Sequence, residues 1–420
     1  MNSIHLHRKS STLHLRLAFA DIATFRALTS GQAHMLAVTR SRTADYLNAI
    51  ENLIPLVEEH RASFDRDRRL PDIVFRALAE AGLFRLWLPS AMGGPELSPA
   101  DFMRVVEAAS AIDGSIGWIV ANGGGMSRVA GYLPESVASE WFSDPHAFIA
   151  SATGAIGSAE PVAGGYRVSG RWPFGSGSCH ATRFMGLAAV RDGSTNNQPP
   201  NCFYFAREQV TIHDTWHVSG LRGTGSSDFE VKNAFVPADH THSLHAPEPS
   251  QPGIIYRIPG LTIFPWSITG APLGIAGGVI AAFTISATRK KIRLGPTIQL
   301  QDREIVHSAI GRAKAIIGAA RAFLNEAMTE LLAALDGDRD RLMRARANLR
   351  IACAYAAEGS SNIVQMLTTE AGASAIFESS ALERAGRDIN AAVKHVAMSP
   401  QSYIVAGRLH LGLDPGAMRF

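Results

Sequence analysis

The stretch Gly164-Gly165-Tyr166-Arg167-Val168-Ser169-Gly170-Arg171-Trp172-Pro173-Phe174-Gly175-Ser176-Gly177-Ser178-Cys179-His180-Ala181-Thr182 changes character twice. A Gly-Gly turn leads into an alternating strand with Tyr166 and Val168 on one face, and the strand runs out into a loop of small residues. A loop of that composition lets backbone approach a flat ligand closely.

Around this stretch the apolar period is 2. Short runs rich in β-branched and aromatic residues lie at 148–152, 166–174, 183–190, 201–206, 210–216 and 228–236, separated by Gly, Asn, Pro and Asp clusters. They predict a central antiparallel β-domain over 146–238, with 192–200 as an exposed hairpin tip. Before it, over 43–145, the punctuation is helical. Tyr46, Ile50, Leu53, Ile54 and Val57 form one stripe with Pro55 as a kink point, and Pro71 and Ser98-Pro99 start further helices. Residues 239–260 carry Pro247, Pro249, Pro252 and Pro259 and read as a linker. From 261 to 420 long Ala-rich stripes return, among them Ile305, Ala309, Ile316, Ala320, Phe323, Ala327 and Leu331, which predicts a C-terminal four-helix bundle. Its apolar surface exceeds what one subunit covers and predicts an oligomer, a homotetramer.

Composition narrows the function classes. Of 420 residues 46% are hydrophobic and 18% charged, and the net charge is only +3. The basic excess lies in residues 1–42, where Arg8, Lys9, Arg16, Arg26, Arg40 and Arg42 face one acid, Asp21. That segment reads as a disordered or mis-started extension, with Met35 as an alternative start and an Arg-rich transit peptide as the other reading. No basic stripe with interleaved aromatics points to nucleic acid. The apolar stretch 270–285 is short and interrupted by glycines, and no run reaches the roughly 18 residues of a membrane span. Cys179, Cys202 and Cys353 have no paired spacing, so we expect free thiols, a reducing, cytoplasmic setting and no metal site.

Three strings carry a resemblance. One is the quoted stretch, read as GGYRVSGRW.F.SG..HA. A second is Trp216-His217-Val218-Ser219-Gly220-Leu221-Arg222-Gly223-Thr224-Gly225-Ser226-Ser227-Asp228, running on to Phe235-Val236-Pro237. The third is Arg387-Asp388 with His395, Gly407-Arg408 and Leu411-Gly412-Leu413-Asp414-Pro415. Over residues 43–415 the chain resembles the acyl-CoA dehydrogenase superfamily, and more closely its branch of oxygenase components of two-component flavin-dependent monooxygenases. The resemblance implies an α+β multidomain fold of N-terminal helical domain, central β-domain and C-terminal bundle. It also implies reduced FMN or FAD delivered by a separate NAD(P)H-dependent flavin reductase, O2, a C4a-hydroperoxyflavin, and an aromatic or polycyclic small-molecule substrate.

Within that resemblance Ser176 is placed at the flavin N5 edge, where a short hydroxyl suits a close approach, and Trp172 accompanies it as a cofactor contact. Ser151 is a further flavin-contacting hydroxyl or else a solvated strand end. Trp118 is an aromatic beside the flavin or else a core tryptophan. His395 stands where many dehydrogenases of the superfamily carry, there or on a neighbouring helix, a proton-abstracting glutamate. An imidazole there suits peroxide stabilisation better than α-proton abstraction. Phenol hydroxylases of the branch place a histidine where this chain has Met126, so the substrate base, or the substrate, differs here. Gly123, Gly124 and Gly125 either widen the pocket or permit close helix packing. Gly220–Gly225 lacks a following helix and reads as a β-domain loop rather than a phosphate loop. Arg289-Lys290-Lys291 reads as a solvated helix end or as a flavin-phosphate partner. Two alternatives remain open, an acyl-thioester dehydrogenase of the same fold and a non-catalytic flavin-binding protein.

Overall fold

The computed structural model describes residues 33–191, 199–245, 248–293 and 297–416. Five helices come first, α1 (Ala33–Asp67), α2 (Asp72–Glu80), α3 (Pro99–Ile112), α4 (Gly114–Met126) and α5 (Glu135–Trp141). Local chemistry sets their starts. Ser98 accepts the N–H of Asp101 with Pro99 in the first turn, and Asp113 accepts the N–H of Ser115. The helix α1 begins at Ala33 and is continuous through Pro55, so the extension expected over 1–42 gives way to helix ten residues before its expected end. Residues 1–32 and 192–198, the latter containing most of the expected hairpin tip, lie outside the described residues.

The central domain is a seven-stranded sheet in the order β5-β6-β2-β1-β3-β4-β7. Its strands are β1 (Ile149–Val162), β2 (Gly165–Gly175), β3 (Arg183–Val190), β4 (Asn201–Ala206), β5 (Thr211–His213), β6 (Ser227–Pro237) and β7 (Thr241–Ser243). The expected all-antiparallel arrangement is corrected at one seam, because β1 and β3 are parallel. The reason lies in the loop 176–182. After the β1–β2 hairpin this loop carries the chain across the end of β1, so that β3 returns on its far side in the same direction as β1. The crossing is tied down where the Thr182 N–H donates to Phe148 O (2.9 Å) and Phe148 N–H donates to Thr182 Oγ1 (3.1 Å).

Trp172 is fully buried in this domain, its Nε1 donating to Leu187 O at 2.9 Å and its ring stacked on Phe229. A Cβ on Gly186 or Gly170 would come within 2.5 or 2.6 Å of its indole, so those glycines make room for it. Its expected place beside a cofactor is therefore corrected, since the alternation of β2 turns it into the sheet core.

The expected linker 239–260 is also corrected. It contains β7, paired to β4, and a short helix α6 (Ile254–Arg257), and it is held by buried Ile255, Tyr256 and Ile258. The rest is helical, with α7 (Gly260–Arg289), α8 (Glu304–Ala334), α9 (Arg339–Ala371), α10 (Ala381–Ala392) and α11 (Gln401–His410). At 30 residues α7 is long and apolar enough to cross a membrane, contrary to the expectation from 270–285, but 83% of its most apolar window is buried among the other elements. Pro265 denies Leu261 O its helical partner, and Arg350 Nη2 donates to that carbonyl instead, at 3.1 Å.

Candidate active site

A cavity of about 330 Å³ opens where the loop 176–182, the loop after β5 and the end of α10 meet. Its polar centre is Ser176, which is 5% exposed. Trp118 Nε1 donates to Ser176 Oγ (3.1 Å), Ser176 and Ser226 hydroxyls lie 2.9 Å apart, and Ser226 and Thr224 hydroxyls 2.7 Å apart. Thr224 Oγ1 donates to Leu221 O at 2.8 Å. Each hydroxyl has one proton, so that last bond orders the chain. Ser226 must donate to Thr224, and Ser176 must donate to Ser226. Ser176 thereby accepts from Trp118 and keeps one lone pair for the cavity it lines.

His395, at the N-terminus of a single turn after α10, lines the same cavity. Its Nδ1 accepts the Ala397 N–H at 3.2 Å, so the neutral ring carries its proton on Nε2. The ring lies 5.8 Å from Trp118 and 5.4 Å from Phe264. At the mouth stand Phe174, 66% exposed at φ +66°, and Trp216, edge-on to it.

The loop bearing Thr224 and Ser226 is fastened to α10 and α1. Asp388 Oδ1 accepts the Leu221 N–H at 2.6 Å, and Arg387 donates to Ser219 O at 3.1 Å. Arg222 donates to Asp65 O, while Arg384 and Arg387 both pair with the Asp65 carboxylate. Gly220 allows the approach, because a Cβ there would sit 2.0 Å from Arg387 O. Leu221 and Gly225 turn the loop through left-handed conformations, and no helix long enough for a phosphate site follows. Burial, and then the neighbouring Asp113, raise the Asp388 carboxyl to about 7.

A second, inner cavity of about 120 Å³ adjoins the first, and Asn122, Ser151, Thr153 and Phe264 line both. Met126 lines the inner one. So do Tyr204 and His242, whose side chains lie 2.9 Å apart. His242 Nδ1 meets the Ser243 carbonyl at 2.9 Å and must donate to it, so Nε2 accepts from the Tyr204 hydroxyl. Burial holds this imidazole down at about 4, and it is neutral across the physiological range.

Ser176, Trp118, Ser151 and His395 thus share one cavity, and Trp172 does not. Ser151 lies at the junction with the inner cavity, and its hydroxyl has no protein partner among the described residues. His180 turns away, stacked on Phe75 at 4.2 Å with Nε2 donating to Leu70 O. Of the three glycines, Gly123 and Gly124 serve packing, since a Cβ would lie 2.6 Å from Phe148 or 2.9 Å from Leu86. Gly125 lines the inner cavity. Lys290, in the basic cluster after α7, caps Ala371 O and Ser374. Sequence reasoning missed Thr224 and Ser226, although both stand inside the second string. It also missed Arg128, Tyr204, His242 and Phe264, for which no local pattern exists.

Comparison with known proteins places this geometry. The acyl-CoA dehydrogenase N-terminal domain family matches residues 49–142, and the acyl-CoA dehydrogenase C-terminal domain family matches 267–400. The flavin-dependent monooxygenase oxygenase subunit HsaA of Mycobacterium tuberculosis is 29% identical over 393 residues, 91% of this chain and 99% of that protein. Indole-3-acetate monooxygenase of Pseudomonas putida is 27% identical over 352 residues, 84% and 90% of the two chains. The structure of XiaF from Streptomyces sp. in complex with FADH2 and glycerol superposes with a TM-score of 0.82 at 25% identity, covering 91% of this chain and 99% of that one. The chain belongs to the acyl-CoA dehydrogenase superfamily, and the relatives it matches over most of its length are flavin-dependent oxygenase subunits and monooxygenases.

Proposed function

We propose that the protein oxygenates an aromatic or polycyclic small molecule with reduced flavin and O2, the flavin arriving from a separate NAD(P)H-dependent reductase. The observation that carries this is the ordered hydroxyl chain ending at Ser176. The N5 position of a reduced flavin bears an N–H, and the lone pair left on Ser176 suits that donor. An oxidised flavin presents a lone pair at N5 and meets a lone pair. The outer cavity fits the group in shape as well, with Trp118 and Phe264 as apolar walls and Phe174 and Trp216 at the entrance. Reduced flavin, when bound, supplies the two electrons with which O2 gives one oxygen atom to substrate and the other to water.

The residues divide the remaining work. Ser176 orients the flavin edge, and Trp118 fixes Ser176. His395 lines the cavity with its proton on Nε2, and its imidazole is the proton-transfer group of the site. Asp388 and Arg387 are positioning residues that hold Thr224 and Ser226 in line. Ser151 stands where substrate and flavin meet. The aromatic walls keep water away from the reacting atoms.

An acyl-thioester dehydrogenase needs a carboxylate base, and among the described residues none lines the outer cavity. A non-catalytic flavin binder has no use for a pre-ordered acceptor facing an imidazole. The exposed Ile376, Phe377, Ile404 and Leu411 on the bundle support assembly into a homotetramer. The test is turnover with a generic flavin reductase, NADH, FMN or FAD, and 18O2 on a panel of aromatic compounds. Mass spectrometry should find one labelled oxygen per product, and flavin oxidation without any labelled product across the panel would remove the proposal.

A further inference from the structure

The inner cavity contains a cation, and among the described residues no carboxylate lines it. Arg128, two residues past the end of α4, is 6% exposed and lines this cavity. Its Nε donates to Ile255 O (3.0 Å), and its Nη2 donates to Tyr256 O (3.3 Å) and to Ile258 O. The guanidinium lies 4.8 Å above the Tyr132 ring. Nη1 has no protein partner among the described residues, yet it is not among the sealed, unpartnered polar atoms, so it reaches open space. Among the described residues no carboxylate is paired with Arg128, and the titratable groups that act on it are Tyr132, Tyr256 and Tyr204. Burial pulls its affinity for the proton down, but a guanidinium stays charged at neutral pH.

Four other polar side chains of this wall already donate to protein acceptors. Tyr132 donates to Tyr256 O, Asn122 to Trp118 O, Ser267 to Phe264 O and Tyr204 to His242. A buried charge without a counter-ion is costly, and a guanidinium edge favours a planar or multidentate anion.

We propose that Arg128 receives the anionic end of the substrate, which is therefore an aromatic acid, a carboxylate or sulfonate, rather than a neutral phenol or hydrocarbon. The acid group occupies the inner cavity and the ring extends past Ser151 and Phe264 toward the outer one. This rests on the outer cavity being the flavin site. It also accounts for Met126, because substrate held by charge at one end does not need a phenol-directed histidine in that position.

The test is equilibrium dialysis of anaerobic protein loaded with reduced FMN against benzoate, 1-naphthoate, 1-naphthalenesulfonate and the methyl esters of the two carboxylic acids. At least one acid should be held tighter than its neutral counterpart by about 10- to 100-fold, the scale of a buried charge-assisted hydrogen bond. Arg128→Gln should erase that preference while leaving reduced FMN bound, and Arg128→Lys should restore part of it. A purely structural clamp on residues 255–258 would alter folding or all ligands alike, not the acid-to-ester ratio. No acid preference across the wild-type panel, or a preference that survives in Arg128→Gln, overturns the proposal. If Arg128→Gln does not fold, the wild-type ratio and the Arg128→Lys ratio decide. Retained FMN without acid preference defeats the anion site alone, whereas acid preference without FMN retention defeats the flavin site and leaves Arg128 in its role.

Discussion

The outer and inner cavities touch, yet they are built by opposite means. The outer one takes its polarity from hydroxyls on two loops, ordered by a carbonyl and fastened through Asp388 and Arg387 to α10. The inner one takes its shape from aromatic side chains and helix ends contributed by α4, β4, β7 and α7, with Arg128 as the cation in its wall. On the proposed assignment, the site for a common cofactor is made from backbone-pinned small residues. On the same assignment, the site for a particular substrate is made from exchangeable side chains.

The division can be broken most sharply at His395. His395→Ala should leave reduced-flavin binding near normal but lower the product formed per flavin oxidised by on the order of 10²-fold, the usual scale for a proton-transfer group. The missing oxygen should appear as hydrogen peroxide, measured in a coupled peroxidase assay. Unchanged coupling would remove His395 from the chemistry.

The glycines of α4 sharpen the boundary between the cavities. Gly123→Ala forces a Cβ to within 2.6 Å of Phe148 and should destabilise the protein by about 1–3 kcal/mol, seen as a fall of a few degrees in Tm. Gly125→Ala meets Ser267 at 3.5 Å and Trp87 at 3.7 Å, both ordinary contacts, so its Tm should hold while the larger members of a substrate panel bind more weakly. Equal thermal behaviour of the two variants would contradict the assignment of Gly123 to packing and Gly125 to the cavity.

The smallest effect is expected at Asp388, which touches neither cavity directly through its carboxylate but aligns the relay. Its carboxyl is raised to about 7 in the fold, against an ordinary value near 4 in the unfolded chain. A raised acid stabilises the fold fully below about pH 4, and that contribution is lost as pH rises through about 7. Asp388→Asn keeps an oxygen for the Leu221 N–H and has no proton to lose. Its Tm relative to wild type should therefore climb between pH 5 and pH 8 by a few degrees, as read by differential scanning fluorimetry. A constant difference across that range would contradict the raised value.

Legibility in the sequence follows the same division. The quoted stretch contains the crossover of the sheet and Ser176 in consecutive residues, so a local pattern reaches both. Its reading failed at Trp172, where the resemblance set an aromatic beside the cofactor and the two-residue period of β2 pointed the ring inward. The parallel seam escaped because strand direction depends on where the loop 176–182 crosses, not on the content of β1 or β3. The inner cavity was nearly invisible. Arg128, Tyr204 and His242 come from distant segments, and β7 lay in a proline-rich stretch that looked like linker. What holds that stretch down is long-range burial of Tyr256, whose hydroxyl donates to Trp87 O at 3.0 Å, and no spacing rule reports such a contact.

The central claim is that the outer cavity is pre-ordered for reduced flavin. Equilibrium dialysis of FMN and FAD, each oxidised and each reduced by dithionite under anaerobic conditions, tests it without any substrate. Wild-type protein should hold the reduced form of its flavin at least about 10-fold tighter than the oxidised form, and Ser176→Ala should lose most of that difference, the scale of one hydrogen bond gained against one repulsion. Equal affinity for both forms, or an oxidised flavin held more tightly than the reduced one, would contradict it.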